Sequence, residues 1–173
     1  YLTCDEKIYE VEMKLGIKTD TGDITGNIID EDTNYKVTIK EVNEVIKSFV
    51  GKQKQIPPMY SAIKVNGQKL YELARKGIEI EREPRDIEIF DIYNIEINNE
   101  LIKYTVHCSK GTYVRSLCED IAQRLGTIGT MTNLRRIKSG QFEIENAIKI
   151  DDISEEKIIS MEKLFDKEIN VQN

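Results

Sequence analysis

Tyr113 and Arg115 are the two side chains best placed to do chemistry in this sequence. They fall in the segment CSKGTYVRSLCEDIAQRLG, residues 108–126. Val114, Leu117, Cys118, Ile121 and Leu125 recur at helical spacing, so a helix over 112–125 has one apolar, buried face. Gly126 stands where such a helix stops. Tyr113 and Arg115 therefore sit where a strand hands over to a helix. A helix N-terminus presents free N–H groups and the positive end of the helix dipole, which suits a phosphate or a carboxylate. Arginine adds a permanently charged, two-pronged donor. The plain alternative is a strand–turn–helix with an exposed tyrosine and a surface arginine.

Other chemistries are poorly supplied. The chain has 173 residues, suited to one domain or one domain plus part of another. It holds one histidine and three cysteines, with no C-x-x-C. A zinc site or a His-based nucleophilic relay therefore lacks its parts. His107, in the strand-like run YTVHC, reads as structural, and Cys108 and Cys118 read as small core residues. No apolar run has the length of a membrane span, and the start YLTCDEKIYE carries no signal-peptide pattern. A reducing cytoplasm is the expected home.

The net charge of −6 argues against a nonspecific nucleic-acid coat, but its distribution is uneven. Acids crowd 19–44 and the tail after Asp151. Between them, Lys47, Lys52, Lys54, Lys64, Lys69, Arg75 and Lys76 face only Glu72. Lys110, Arg115, Arg124, Arg135, Arg136 and Lys138 form a second basic group. Tyr60, Tyr71 and Tyr113 lie among these cations. Cations for phosphates and aromatics for unstacked bases are what RNA binding needs.

The elements that must position these residues read as α+β. Tyr9, Val11, Met13 and Leu15 alternate with Glu10, Glu12 and Lys14, which predicts a half-buried strand over 8–15. LGIKTDTGDITGN reads as a polar loop. Thr38 and Glu41 fit a capping box for a helix ended by Gly51, with Ile39, Val42, Val45, Ile46 and Phe49 as its stripe. Pro57 and Pro58 force an extended segment, and Asn66-Gly67 marks a hairpin. LYELARKG predicts a short helix stopped by Gly77. IEIFDIYNIEI and LIKYTVHC predict two strands joined at Asn98-Asn99. LRRIKSGQFEIENAI suggests another strand, and Ser154 caps a final helix carrying Ile158, Met161, Leu164 and Phe165. This order does not alternate strand and helix regularly, which argues against a doubly wound parallel sheet.

Four segments together carry a resemblance. KIYEVEMKLGIKTDTGDITG, QIPPMYSAIKVNGQKLYELARKGIEIEREPR, CSKGTYVRSLCEDIAQRLG and LRRIKSGQF stand in the order seen in bacterial tRNA pseudouridine synthases of the B type, and the chain resembles that family from residue 1 to about 153. The resemblance implies a pseudouridine synthase fold, a mixed and largely antiparallel sheet flanked by helices. It implies isomerisation of the T-loop uridine (uridine 55) of tRNA to pseudouridine, without metal or organic cofactor. The implied partner is the T-arm of tRNA, the implied state a monomer, and no membrane is involved. Residues 1–153 would be the catalytic domain and 154–173 a C-terminal helix or tail, the start of a truncated RNA-binding extension.

The family's nucleophilic aspartate lies in a G-x-L-D-P motif upstream of the strand that here begins near Lys7. These 173 residues contain no L-D-P. The expectation is a fragment, incomplete at its N-terminus and inactive alone. A noncatalytic RNA-binding module and a protein-interaction domain stay open as alternatives.

By resemblance, Tyr9 in KIY matches the active-site tyrosine that stacks on the target base or serves as a base, and Arg115 in KGTYVR the arginine that pairs with the catalytic aspartate. Tyr113 matches a substrate contact, and Leu134 in NLRR an apolar wall beside the uracil. Lys64, Arg135 and Arg136 are candidates for phosphate contacts. A uridine inside a folded loop must be flipped out, which needs both a stacking wall and a phosphate grip. Tyr9, Tyr113, Arg115 and Leu134 should thus converge on one cleft, with an open, apolar side where an upstream segment would pack.

Overall fold

The computed structural model describes residues 6–139 and 142–143. In chain order the elements are β1 (Glu6–Leu15), β2 (Ile17–Thr19), β3 (Ile28–Glu31), α1 (Ile39–Ser48), β4 (Gly51–Gln55), β5 (Lys64–Val65), β6 (Gln68–Lys69), α2 (Leu70–Arg75), β7 (Arg85–Asn98), β8 (Leu101–Ser109), α3 (Val114–Arg124), β9 (Gly129–Ser139) and β10 (Phe142–Glu143). Six strands form one sheet in the order β10-β9-β1-β8-β7-β4. Every pairing in it is antiparallel, so the strands described here realise the antiparallel part of the expected mixed sheet.

β1 forms because its apolar residues recur every second position and need one covered face. Tyr9, Val11, Met13 and Leu15 are buried, while Glu10 between them is exposed. Register carries that face outward: Val11 lies opposite Tyr104 on β8 and Leu134 on β9. α3 packs over β1 and β9, α1 packs over β7, and the two helices touch. Tyr104 Oη reaches Cys118 Sγ at 3.3 Å, tying sheet to helix. The other face keeps a polar layer, in which His107 pairs with Glu6 at 3.1 Å and its ring lies 4.8 Å from that of Phe90. His107 is held between Glu6 and Phe90 on this face.

Local signals account for most boundaries. Thr38 Oγ1 caps α1 by accepting from the Glu41 amide at 3.1 Å. Ile39 is left 66% exposed at the first turn, outside the buried stripe of Val42 and Ile46. Gly51 does not merely end the helix but opens β4, an edge strand that pairs with β7. Asn66 (φ 52°) and Gly67 (φ 80°) make the left-handed pair that a tight hairpin needs between β5 and β6.

Two further expectations change. Within the segment LGIKTDTGDITGN lies a strand, because Ile17–Thr19 pairs with Ile28–Glu31 around the turn. β9 starts at Gly129, well before Leu134, because Met131 and Thr130 pair with β1. The final helix at Ser154 lies outside the described residues.

Candidate active site

The start of α3 carries several buried polar groups, among them Thr112, Arg115 and Ser116. Its N-cap, Tyr113, supplies no side-chain cap, and no acid occupies the first turn. Other segments take over that task. The Gln55 carboxamide accepts from the Tyr113 amide at 2.8 Å and donates to the Tyr113 carbonyl at 3.1 Å. Ser116 Oγ donates to the Ile56 carbonyl at 3.4 Å.

Arg115 lies between these covers, only 1% exposed, and is the largest fully buried side chain described. Its Nη1 donates to the Thr21 carbonyl at 3.0 Å and its Nη2 to the Tyr60 carbonyl at 2.6 Å. The surface-cation alternative is therefore excluded. A buried guanidinium is costly unless its donors are satisfied, and two carbonyls from separate loops meet part of that need. Both loops are themselves held. The 20–27 turn is bonded to β9 through Gly22 and Ile24, each within 2.9 Å of Met131 backbone atoms. Inside it, Asp23 is 3% exposed and accepts from the Thr25 amide at 3.1 Å.

One helical turn below Arg115, Glu119 Oε1 stands 3.3 Å from where a Cβ on Gly22 would lie. Burial pushes the Glu119 carboxyl above the ordinary range, opposed by the charges of Lys18, Arg115 and Arg82. Burial likewise raises the Tyr60 phenol, helped by Asp20 and opposed by Arg75.

Tyr9 is 2% exposed on β1. It lies opposite Arg136 on β9, on the helix-covered face that also carries Leu134. Leu134 is half-buried against the core. Tyr113 is 3% exposed, its ring buried rather than displayed. The structure thus brings Tyr9, Leu134 and Arg136 onto the sheet face that α3 covers, with Tyr113 and Arg115 at the start of that helix. Arg135 is separated from them: strand alternation turns it to the opposite face, across from Glu10. Lys64 is elsewhere again, exposed on β5 opposite Lys69. That hairpin and α2 form a basic arm in which Tyr71 has Lys69 Nζ 5.4 Å and the Arg75 guanidinium 4.9 Å from its ring.

The open apolar side expected for the cleft is not found at these side chains. Tyr9, Tyr113 and Arg115 are each buried, and the Thr21 and Tyr60 carbonyls of the 20–27 turn and the 55–60 segment meet the Arg115 guanidinium. The sequence reading also missed Gln55, Asp23 and Glu119. Among the described residues no three His, Cys, Asp or Glu side chains form a metal-binding group.

A profile of the TruB family pseudouridylate synthase (N terminal domain) matches residues 1–114, and one of the tRNA pseudouridylate synthase B C-terminal domain matches 115–170. A tRNA pseudouridine synthase B of Clostridium perfringens (strain 13 / Type A) is 50% identical over 171 residues, covering 96% of this chain and 58% of that protein. The protein of the same name from Clostridium tetani is 49% identical over 158 residues, covering 91% and 55%. That from Geotalea uraniireducens is 47% identical over 150 residues, covering 86% and 48%. The chain thus spans about half the length of the curated relatives it matches. Two solved structures share the fold at lower identity. A Cbf5-Nop10-Gar1 complex matches with a TM-score of 0.57 at 22% identity, over 96% of this chain and 40% of that one. An H/ACA RNP bound to a substrate RNA containing 2'-deoxyuridine matches at 0.52 and 20%, over 90% and 37%. With two profiles dividing its length and relatives at half identity, the chain belongs to the TruB family of pseudouridylate synthases.

Proposed function

We propose that the protein containing this chain is a tRNA pseudouridine synthase that isomerises the T-loop uridine 55 of tRNA. The observation that carries this reading is Arg115, a buried guanidinium at the start of α3, above the face bearing Tyr9 and Leu134. A carboxylate reaching that fork is held ionised and aimed, which is what a nucleophilic or proton-abstracting aspartate at the sugar C1′ requires. Tyr9 stacks on the flipped uracil or takes its proton, Leu134 walls it, and Tyr113 contacts the substrate. Arg136 and Lys64 hold phosphates, while Arg135, on the opposite face, contributes little to substrate grip. The reaction breaks the glycosidic bond and rejoins uracil through carbon, using no metal and no organic cofactor. The protein works as a monomer in the cytoplasm.

Tritium release from unmodified tRNA labelled at uridine C5 tests the proposal on the full-length protein. Release limited to the T-loop position is expected, and binding of tRNA without release would point to a noncatalytic RNA-binding module instead. The polypeptide 1–173 alone, which has no L-D-P sequence, is expected to release nothing.

A further inference from the structure

We propose that Gln55 is a positioning residue for Arg115, locking the start of α3 to the end of β4. This rests on the functional reading above for its kinetic consequence, but not for its structural one. Gln55 is the last residue of β4 and is 4% exposed. Its carboxamide grips both backbone groups of Tyr113, donor to acceptor and acceptor to donor. In many helices the N-cap amide is bonded by a Glu or Gln in the same helix's first turn. Here α3 has no such residue, and Gln55 performs the bond from a strand far away in sequence. The chain then continues from Gln55 along the helix start, where the Ile56 carbonyl meets Ser116 and the Tyr60 carbonyl meets Arg115. Four hydrogen bonds from the six residues 55–60 make a rail against which the first turn of α3 is laid.

The chemistry restricts what can stand at this position. At neutral pH a carboxamide accepts and donates at once from one planar group of that reach, which an ionised carboxylate cannot do. Leucine fills similar space with neither bond. A carboxylate keeps the acceptor but sets a negative charge against the Tyr113 carbonyl. Gln55 bonds the peptide groups that flank Tyr113, and Arg115 follows two residues later. A loosened Tyr113 therefore lets the guanidinium drift, and the cost of a small misplacement falls on the chemical step rather than on binding. Gln55 bonds only to backbone, so its role is exerted through Arg115 and not on the substrate.

Gln55→Leu and Gln55→Glu in the full-length protein test this, with tritium-labelled unmodified tRNA as the substrate. Gln55→Leu should slow single turnover at saturating tRNA by about thirtyfold or more, with tRNA affinity within about threefold of the parent. Gln55→Glu should be slow at about pH 8 and recover towards the parent at about pH 6, because a protonated carboxyl again offers one donor and one acceptor. Amide hydrogen exchange supplies a readout independent of activity. In Gln55→Leu the amides from Tyr113 to Leu117 should exchange about tenfold faster or more, with the Cys118–Arg124 amides unchanged. Parent-like exchange at Tyr113, or parent-like turnover together with faster exchange, overturns the inference. If the parent itself releases no tritium, the functional reading fails, and the exchange result alone decides whether Gln55 holds the helix start.

Discussion

Tyr9 and Arg136 stand opposite each other across the β1–β9 ladder, while Arg135, the very next residue, stands opposite Glu10 on the reverse of the sheet. Adjacent arginines in sequence are thus given different surroundings by strand alternation. In the full-length protein, Arg136→Ala is expected to lower turnover at limiting tRNA by about tenfold or more, and Arg135→Ala by less than about threefold. Equal losses in the two variants would show that side of the sheet is irrelevant to the substrate.

Arg115→Ala should cost about a hundredfold or more in single-turnover rate, with little change in tRNA affinity. Arg115→Lys should not rescue it, because an ammonium cannot reproduce a planar fork that serves the Thr21 and Tyr60 carbonyls together. Lys64→Ala should do the reverse, weakening binding and reducing its salt dependence by about one ion while leaving the saturated rate unchanged. Binding curves at several salt concentrations, beside single-turnover rates, separate the two. A purely affinity-based defect in Arg115→Ala would make that residue a phosphate clamp.

Gly22→Ala should be destabilising and slow. Gly22 holds φ +81°, and an added Cβ would lie 3.3 Å from both Arg115 Cβ and Glu119 Oε1. The left-handed backbone alone costs about 1–2 kcal/mol for a residue with a Cβ. Urea unfolding measures this, and a neutral result would mean that the 20–27 turn moves aside without consequence.

Alkaline pH should destabilise the fold early. Burial pushes the Cys108 thiol from its ordinary 9.0 up to about 12, and pushes the fully buried Tyr104 phenol well above its ordinary 10.0. Both groups are held neutral in the folded chain and ionise sooner in the unfolded one. Their contribution is therefore complete below about pH 9 and lost as pH climbs toward the folded values. Melting temperature should begin to drop above about pH 9, and Cys108→Ala should flatten that decline. A pH-independent melting temperature through this range would contradict the assignment.

The strand, helix and hairpin signals that were legible share one property: their cause is local. Thr38 caps the helix that begins next to it, and Asn66-Gly67 turns the chain upon itself. Tyr9 to Leu15 shows its buried face by alternation alone. What was not legible depends on partners distant in the chain. β4 reads as GKQKQ, with no apolar alternation, and exists because β7 offers it a free edge. Gln55 looks like one more polar residue until Tyr113 arrives beside it. Arg115 was recognisable as a candidate, but its burial is set by the Thr21 and Tyr60 carbonyls, which no periodicity in its own segment announces.

The placement of β1 bears on how the chain comes off the ribosome. The first described strand is the middle of the sheet, and its neighbours on either side are β8 and β9. Tyr9 must wait for Val106 and then for Arg136 before its ladder is complete. During synthesis the apolar side of β1 thus emerges with neither flanking strand yet made, and the sheet closes only when translation has passed β9. Such high separation between paired residues slows folding. Until then, Tyr9, Val11, Met13 and Leu15 form an exposed stripe on the nascent chain, the kind of segment that holding chaperones shield.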